Sequence, residues 1–260
     1  MSKLDIEQQD AAKLKAGYTG WFRAVEIAAI AAFWILTLLL AFKLAPFAGE
    51  HLLLVSLALA IGFILADFVS GIVHWLADTW GSADMPILGP ALIRPFREHH
   101  VDQKAMTHHD YIETNGANCL VAVPVAAIAL WLPVESTAWP RTMLFLVASI
   151  GSMIFWVMMT NQIHKWAHLD EASLPKSVVR LQRMHWILPV AHHQTHHQAP
   201  FATYYCITTG WLNPLLHRLN FFRHIERIIT KMTGAIPRRD DIGLKAAVAT
   251  TSSSRPESPR

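Results

Sequence analysis

Four long apolar runs, separated by short polar stretches, dominate the first 160 positions of the chain, at 24–42, 52–73, 117–134 and 142–160. Each has the length of about 17–25 residues that a helix needs to cross the hydrocarbon core of a bilayer. Glu26, near the start of the first, and Asp67, near the far end of the second, are the only charges inside them. The third contains Pro124, which predicts a kink. None of the runs shows the polar stripe that a helix of a soluble core keeps toward water. The pattern therefore predicts four transmembrane helices.

Past residue 160 the pattern changes. Residues 161–200 are polar and rich in histidine. Over 215–232, Leu215, Leu216, Leu219, Phe222, Ile225, Ile229 and Met232 recur at helical spacing, with Arg218, Arg223, Arg227 and Lys231 opposite them. That arrangement predicts an amphipathic helix at the lipid headgroups. The last residues, rich in Ser, Thr, Pro and Arg, are expected to be disordered. The expected organisation is an amino tail (1–20), one domain (21–236) and a carboxyl tail (237–260). Within the domain, 74–116 and 161–236 form a histidine-rich helical cap on the spans, giving an all-α integral membrane protein.

Composition agrees with this reading: 53% of residues are hydrophobic and 16% charged, where a soluble domain carries roughly 25% charged residues. Cys119 and Cys206 make no disulfide framework and read as small buried side chains. The first residues, MSKLDIEQQDAAKLKAGY, mix both charge signs and lack the immediate apolar core of a cleavable signal peptide, so the first span is expected to be retained. The net charge is only +3, no nucleic-acid partner is expected, and the position of the charges matters more than their sum. Four spans put both termini on one side with the 74–116 loop. Of the 22 Lys and Arg residues, only Lys43 and Arg141 fall in the two opposite loops, and the other 20 lie on the side of the termini. The positive-inside rule makes that side cytoplasmic. The histidines partition the same way: His51 lies opposite, and the other 14 of 15 share the cytoplasmic side.

Four histidine clusters carry the candidate chemistry. In DFVSGIVHWLADTW, a continuing helix puts Asp67, Ser70, Gly71, His74 and Asp78 on one face. Polar groups at a membrane edge are costly unless they serve a site, and Asp78 is spaced to accept a ring N–H of His74 and fix its tautomer. PFREHHVDQKAMTHHD contains His99, His100, His108 and His109. NQIHKWAH places His164 and His168 at i and i+4, on one helical face. In HHQTHH, His192, His193, His196 and His197 fall within about 140° of helical arc. His108, His217 and His224 read as solvated bystanders, while His185 and His192 stand between the two classes. One tetrahedral zinc takes three or four ligands, so this surplus points to two ions. Imidazole alone does not choose among iron, zinc, copper and nickel. The Glu-x-x-His motif of soluble di-iron bundles and the H-E-x-x-H motif of zinc proteases are both absent. An almost all-histidine pair of irons fits best.

The stretches DFVSGIVHWLADTWGS, RPFREHH, HHDYIETNGANCL, NQIHKWAH, HHQTHH and YYCITTGWLNP, spread from about 67 to 241, resemble the plasmanylethanolamine desaturases, also called the Kua or CarF family, within the histidine-box membrane desaturases and hydroxylases. The resemblance makes 21–236 a lipid desaturase domain. It implies an ether phospholipid substrate whose 1-O-alkyl chain is desaturated between its first two carbons, yielding the vinyl ether of a plasmalogen. It also implies two non-haem iron ions, O2 as cosubstrate, and a separate electron donor of the cytochrome b5 or ferredoxin kind. The residues expected to bind metal are His74, His99, His100, His109, His164, His168, His193, His196 and His197. His185, His192, Asn161, Asp78, Asp110 and Glu113 are expected either to bind metal or to orient the residues that do. The implied location is a bacterial inner membrane or the endoplasmic reticulum, with the site on the cytoplasmic face. The first rival is a di-iron hydroxylase of a fatty acid, sterol or carotenoid, which only the long motifs separate from a desaturase. A histidine-rich metal transporter or sensor is the second, but transport sites lie near mid-membrane at broken helices. A bis-histidine haem protein needs only two axial ligands.

Overall fold

The computed structural model describes residues 18–82, 85–86, 88–135, 137–198 and 201–237. The expected tails up to 17 and from 238 lie outside the described residues. Among the described residues the chain is helical, with no strand. Four helices are long and apolar enough to cross a membrane: α1 (Gly20–Glu50), α2 (Leu52–Thr79), then, after a short helix α3 (Arg94–Val101), α4 (Tyr111–Trp131) and α5 (Pro140–His168). Four shorter helices follow: α6 (Lys176–Arg183), α7 (Val190–Gln194), α8 (Asn213–Arg218) and α9 (Phe221–Thr233).

The long helices overrun the apolar runs that predict them. At about 1.5 Å per residue, the 31 residues of α1, 28 of α2 and 29 of α5 reach roughly 46, 42 and 43 Å, against a hydrocarbon core of about 30 Å. In α2 and α5 the helix continues past the end of its apolar run, and the added turns carry His74, His164 and His168. The loop expected over 43–51 is helical as far as Glu50, through Pro46, and a single residue, His51, turns the chain into α2. The ammonium of Lys43 explains how α1 continues there: it donates to the carbonyls of Leu130 and Leu132, which close α4. At its other end α4 starts at Tyr111, because the Asp110 side chain accepts from Ile112 N and Glu113 N, both at 3.0 Å, and caps it.

α2 packs mainly on α5, α5 also on α4, and α4 on α1. Small residues let the backbones approach, as expected where lipid supplies no hydrophobic drive between helices. Gly62 of α2 faces Ser149 and Ser152 of α5, and Ser152 Oγ donates to Leu59 O at 2.7 Å. Asn118 Nδ2 of α4 donates to Val157 O of α5 at 2.8 Å. Phe33, Leu40, Ala122, Ala126, Leu144 and Met158 fill the centre, while Leu38, Leu39, Leu53 and Ile128 face outward as a lipid-contacting belt. These features describe a membrane protein.

The amphipathic stretch expected over 215–232 divides into α8 and α9 at Asn220, whose backbone is left-handed (φ 46°). Its apolar stripe packs inward only in part: Phe222 and Leu216 lie with Trp75 and Tyr205 in a buried cluster, and Trp75 Nε1 donates to Glu226 Oε1 at 3.0 Å, while Leu215, Leu219 and Met232 remain exposed. Both cysteines are buried and unpaired.

Candidate metal centre

Three polar groups on one face of α2 hold a single extended loop. Asp67 Oδ1 accepts from Thr209 N at 2.7 Å and Gly210 N at 2.9 Å, and its Oδ2 accepts from Leu212 N at 3.2 Å. One turn on, Ser70 Oγ accepts from Ile207 N at 3.0 Å. A further turn on, His74 Nδ1 meets Tyr205 O at 3.0 Å. The loop lies flush against the helix because residue 71 is glycine: a Cβ there would stand 2.5 Å from Cys206 Sγ. Thr203, on the same loop, offers its carbonyl to His196 Nδ1 at 2.8 Å. The shared face of α2 is thus a template that aims two imidazoles. With Nδ1 donating to a carbonyl, each ring turns an unprotonated Nε2 inward.

Those Nε2 atoms meet others. His99, His164, His168, His193 and His197 form one buried group, and His74, His99, His100 and His196 another; within each group the ligand atoms lie within 4.8 Å of one another. His99 belongs to both. In the first group, His193 Nε2 is 2.8 Å from His164 Nε2, 2.9 Å from His168 Nε2 and 2.9 Å from His197 Nε2. In the second, His100 and His196 approach at 2.8 Å. Asp78 Oδ2 joins them, 3.2 Å from His74 Nε2 and 3.7 Å from His100 and His196 Nε2. Asp78 therefore faces the inner nitrogen of His74, while the outer one, which it was expected to hold, is taken by Tyr205 O.

Two nitrogens bound about 2.1 Å from one ion stand roughly 3 Å apart at right angles, which is the spacing seen here. The buried Nε2 atoms of His74 and His99 find no hydrogen-bond partner among the described residues. Unprotonated nitrogens crowded on each other and on a carboxylate repel unless a cation lies among them. The donor set thus fits metal ions, two of them by its division into groups. Burial also holds His99 and His193 well below the ordinary imidazole pKa, His196 at about 4 and His197 at about 2. All four are neutral near pH 7, as metal ligation requires.

The local sequence explains how each ring arrives. His164 and His168 are one turn apart on α5, and His74 and Asp78 one turn apart on α2. α3 carries His99 and His100, and it is anchored by buried arginines. Arg97 donates to Ala77 O and Asp78 O of α2, and Arg94 lies 3.6 Å from Glu113 of α4. Within α3, Arg94 also pairs with Glu98 at 2.9 Å, at the i,i+4 spacing of a helical ion pair. The sequence reading overlooked these arginines, as it overlooked the carbonyls of Thr203 and Tyr205.

Other expected residues stand apart from both groups. After a 3-10 turn (Ala105–His108), the extended backbone of His109 sets its ring outside both groups, 3.6 Å from Glu113 and 3.9 Å from Glu98 of α3, on the wall of a small cavity it shares with His99 and His164. Asp110, besides capping α4, pairs with Arg23 at 2.6 Å, which holds its carboxyl at about 2. Asn161 lines a small cavity with His99 and His164. His192 Nε2 meets Asn213 Nδ2 at 3.1 Å and props the extended loop. His185 is exposed, with a left-handed backbone (φ 58°), and its carbonyl accepts from Trp211. His108, His217 and His224 are exposed.

Comparison with known proteins gives the same direction. The family described as the lipid desaturase domain matches residues 63–240. A plasmanylethanolamine desaturase of Myxococcus xanthus is 54% identical over 94% of this chain and 85% of its own length. Plasmanylethanolamine desaturase 1 of Mus musculus is 48% identical over 74% of this chain and 71% of its own. Fatty acid desaturase 4-like 2, chloroplastic, of Arabidopsis thaliana is 31% identical over 73% of this chain and 65% of its own. No solved structure matches.

Proposed function

The chain belongs to the plasmanylethanolamine desaturase family of lipid desaturases, and we propose that it converts the 1-O-alkyl chain of a plasmanylethanolamine into the vinyl ether of a plasmalogen. The observation that carries this reading is the pair of buried histidine groups sharing His99, set where α2 and α5 emerge from the apolar belt. The first two carbons of an ether-linked chain lie beside the glycerol backbone, at that same interfacial depth.

Overall, two hydrogens leave adjacent alkyl carbons, and one O2 takes them up with two electrons and two protons to give two waters. Iron ions, when bound, supply the O2 activation that no side chain can. His164, His168, His193 and His197 would hold one ion; His74, His100, His196 and Asp78 would hold the other, with His99 between. The carbonyls of Tyr205 and Thr203 keep the Nε2 lone pairs of His74 and His196 pointed inward. Arg94 and Arg97 keep α3, and with it His99 and His100, pressed on α2 and α4. The burial of all eight rings keeps bulk water from the reacting carbons. We assign the activity to one unit over 21–236, with cap and termini in the cytoplasm, where the 20 basic residues lie. Electrons come from a separate carrier of the cytochrome b5 or ferredoxin type.

The test is expression in a host that makes alkyl ether lipids and no plasmalogens. Acid-labile vinyl ethers are expected with the unmodified chain and not with His164→Ala. Hydroxylated ether lipid in their place would favour the hydroxylase rival.

A further inference from the structure

An apolar cavity of about 150 Å³ lies between α2, α4 and α5, closed from above by the turn that leads into α3. At its outer rim stand Leu88 and Val121, both more than half exposed on the lipid-facing surface. Its wall includes four polar side chains, Asn161 at the inner end and three others that each have their hydrogen bonds elsewhere. Ser70 Oγ is taken by the extended loop and Asp67 O, Thr160 Oγ1 by Trp156 O and Thr208, and Asn118 Nδ2 by Val157 O. The cavity thus offers almost nothing to water, and apolar cavities of this size stay dry and take apolar guests. At its inner end, Pro95, Phe96 and Asn161 also line a second, smaller space of about 30 Å³, whose other walls include His99 and His164. Lipid surface, dry cavity and histidine-lined space therefore lie in sequence, with Pro95, Phe96 and Asn161 shared between the two spaces.

We propose that this cavity seats the near part of the substrate's ether-linked alkyl chain. The chain enters sideways from the bilayer past Leu88 and Val121, and its first carbons reach the histidines at the neck formed by Phe96 and Asn161. This rests on the ether-lipid reading above. Because bilayer and cavity are equally apolar, burial from water provides no selection between them, and the fit of a straight chain to the walls must provide it. Ala117 is the wall residue where a larger side chain would fill the space, since it sits on α4 one turn before Val121 and faces the cavity.

Photolabelling tests this with the full chain in lipid nanodiscs, both metal-loaded and metal-free. The probe is a 1-O-alkyl phosphoethanolamine lipid with a diazirine in the alkyl chain, a few carbons from the ether oxygen. Labelled peptides are expected to contain Leu92, Leu120 or Val121. Excess unlabelled 1-O-alkyl lipid should displace the label in both forms of the protein. Ala117→Phe should lose it while keeping the metal content and melting temperature of the unmodified chain, and Val157→Phe serves as a second filling variant should the first not fold. Labelling spread over Leu38, Leu39 and Leu53 and indifferent to competitor would overturn the proposal, as would equal displacement by a diacyl lipid. Vinyl-ether formation measured on the same samples separates the two readings. Turnover with label outside the cavity removes the cavity assignment alone. Label in the cavity without turnover removes the ether desaturase reading alone.

Discussion

Asp67 belongs to neither histidine group and stands two turns before His74 on α2, yet its loss should be felt at the group that contains His74. Its carboxylate accepts three backbone N–H bonds, from Thr209, Gly210 and Leu212, at 2.7, 2.9 and 3.2 Å. Hydrogen bonds to a charged group contribute about 1.5–3 kcal/mol each, so three of them are worth on the order of 5 kcal/mol even with imperfect additivity. Asp67→Ala removes all three acceptors and leaves buried N–H groups unpaired. That is enough to free the loop locally while the helix bundle, held by α2, α4 and α5, stays folded. The loop carries Tyr205 O and Thr203 O, which fix the Nδ1 atoms of His74 and His196. Losing such orienting partners typically costs about 10–100-fold in metal affinity or activity, and two are lost here together. The expected result is a drop in vinyl-ether formation of about 100-fold or more. Iron should fall from about two to about one per chain, because His164, His168, His193 and His197 do not depend on the loop. Asp67→Asn keeps the acceptor for Thr209 and Gly210 and should fall in between. Elemental analysis and lipid turnover on detergent-purified variants, with circular dichroism as the folding check, decide the matter. Asp67→Ala with two irons and near-normal turnover would refute the reasoning.

Other expectations follow from the same geometry. Replacing His164, His168, His193, His196 or His197 by Ala should abolish turnover with expression intact, whereas His108→Ala, His217→Ala and His224→Ala should have small effects; turnover at matched expression gives the ranking. His109→Ala should retain the iron content of the unmodified chain by elemental analysis, since its ring faces Glu98 and Glu113, and a loss of iron would place it among the ligands. In metal-free protein, burial holds His196 at about 4 and His197 at about 2, against about 6.5 in the unfolded chain. The unfolded chain then binds more protons below about pH 6.5, so stability rises with pH. The melting temperature should be flat above about pH 7 and fall as the pH drops from about 6.5 toward 4; a rise on acidification would contradict it. Reporter fusions should place both termini on the cytoplasmic face.

The four membrane helices were legible because hydrophobic length is a direct readout of bilayer thickness. Their ends were not. Pro46 and Lys43 read as loop residues until the carbonyls of Leu130 and Leu132 supply the ammonium with partners. The i,i+4 pair on α5 and the H-x-x-H-H box could be read as one-sided clusters, since a helix determines which residues share a face. The doublets His99–His100 and His108–His109 look alike in the sequence. After the 3-10 turn, His108 is exposed and His109 turns to Glu98 and Glu113, whereas His99 and His100 join the buried groups. Asp67 could be seen as an expensive charge at a membrane edge, but its partners lie more than 140 positions away in a loop without periodicity. Asp78 could be paired with His74 by spacing alone. Which ring nitrogen it faces depends on where the Tyr205 carbonyl sits.

The most direct test of the central claim is reconstitution. The purified chain, loaded with iron and supplied with O2, a reduced electron carrier and a 1-O-alkyl phosphoethanolamine lipid, is assayed for product by mass spectrometry and for metal by elemental analysis. The account predicts acid-labile vinyl ether, formed only with O2 and reductant, in protein holding about two irons per chain. Turnover in protein that holds stoichiometric zinc and no iron, or iron-loaded protein that consumes O2 and leaves the ether chain saturated, would contradict it.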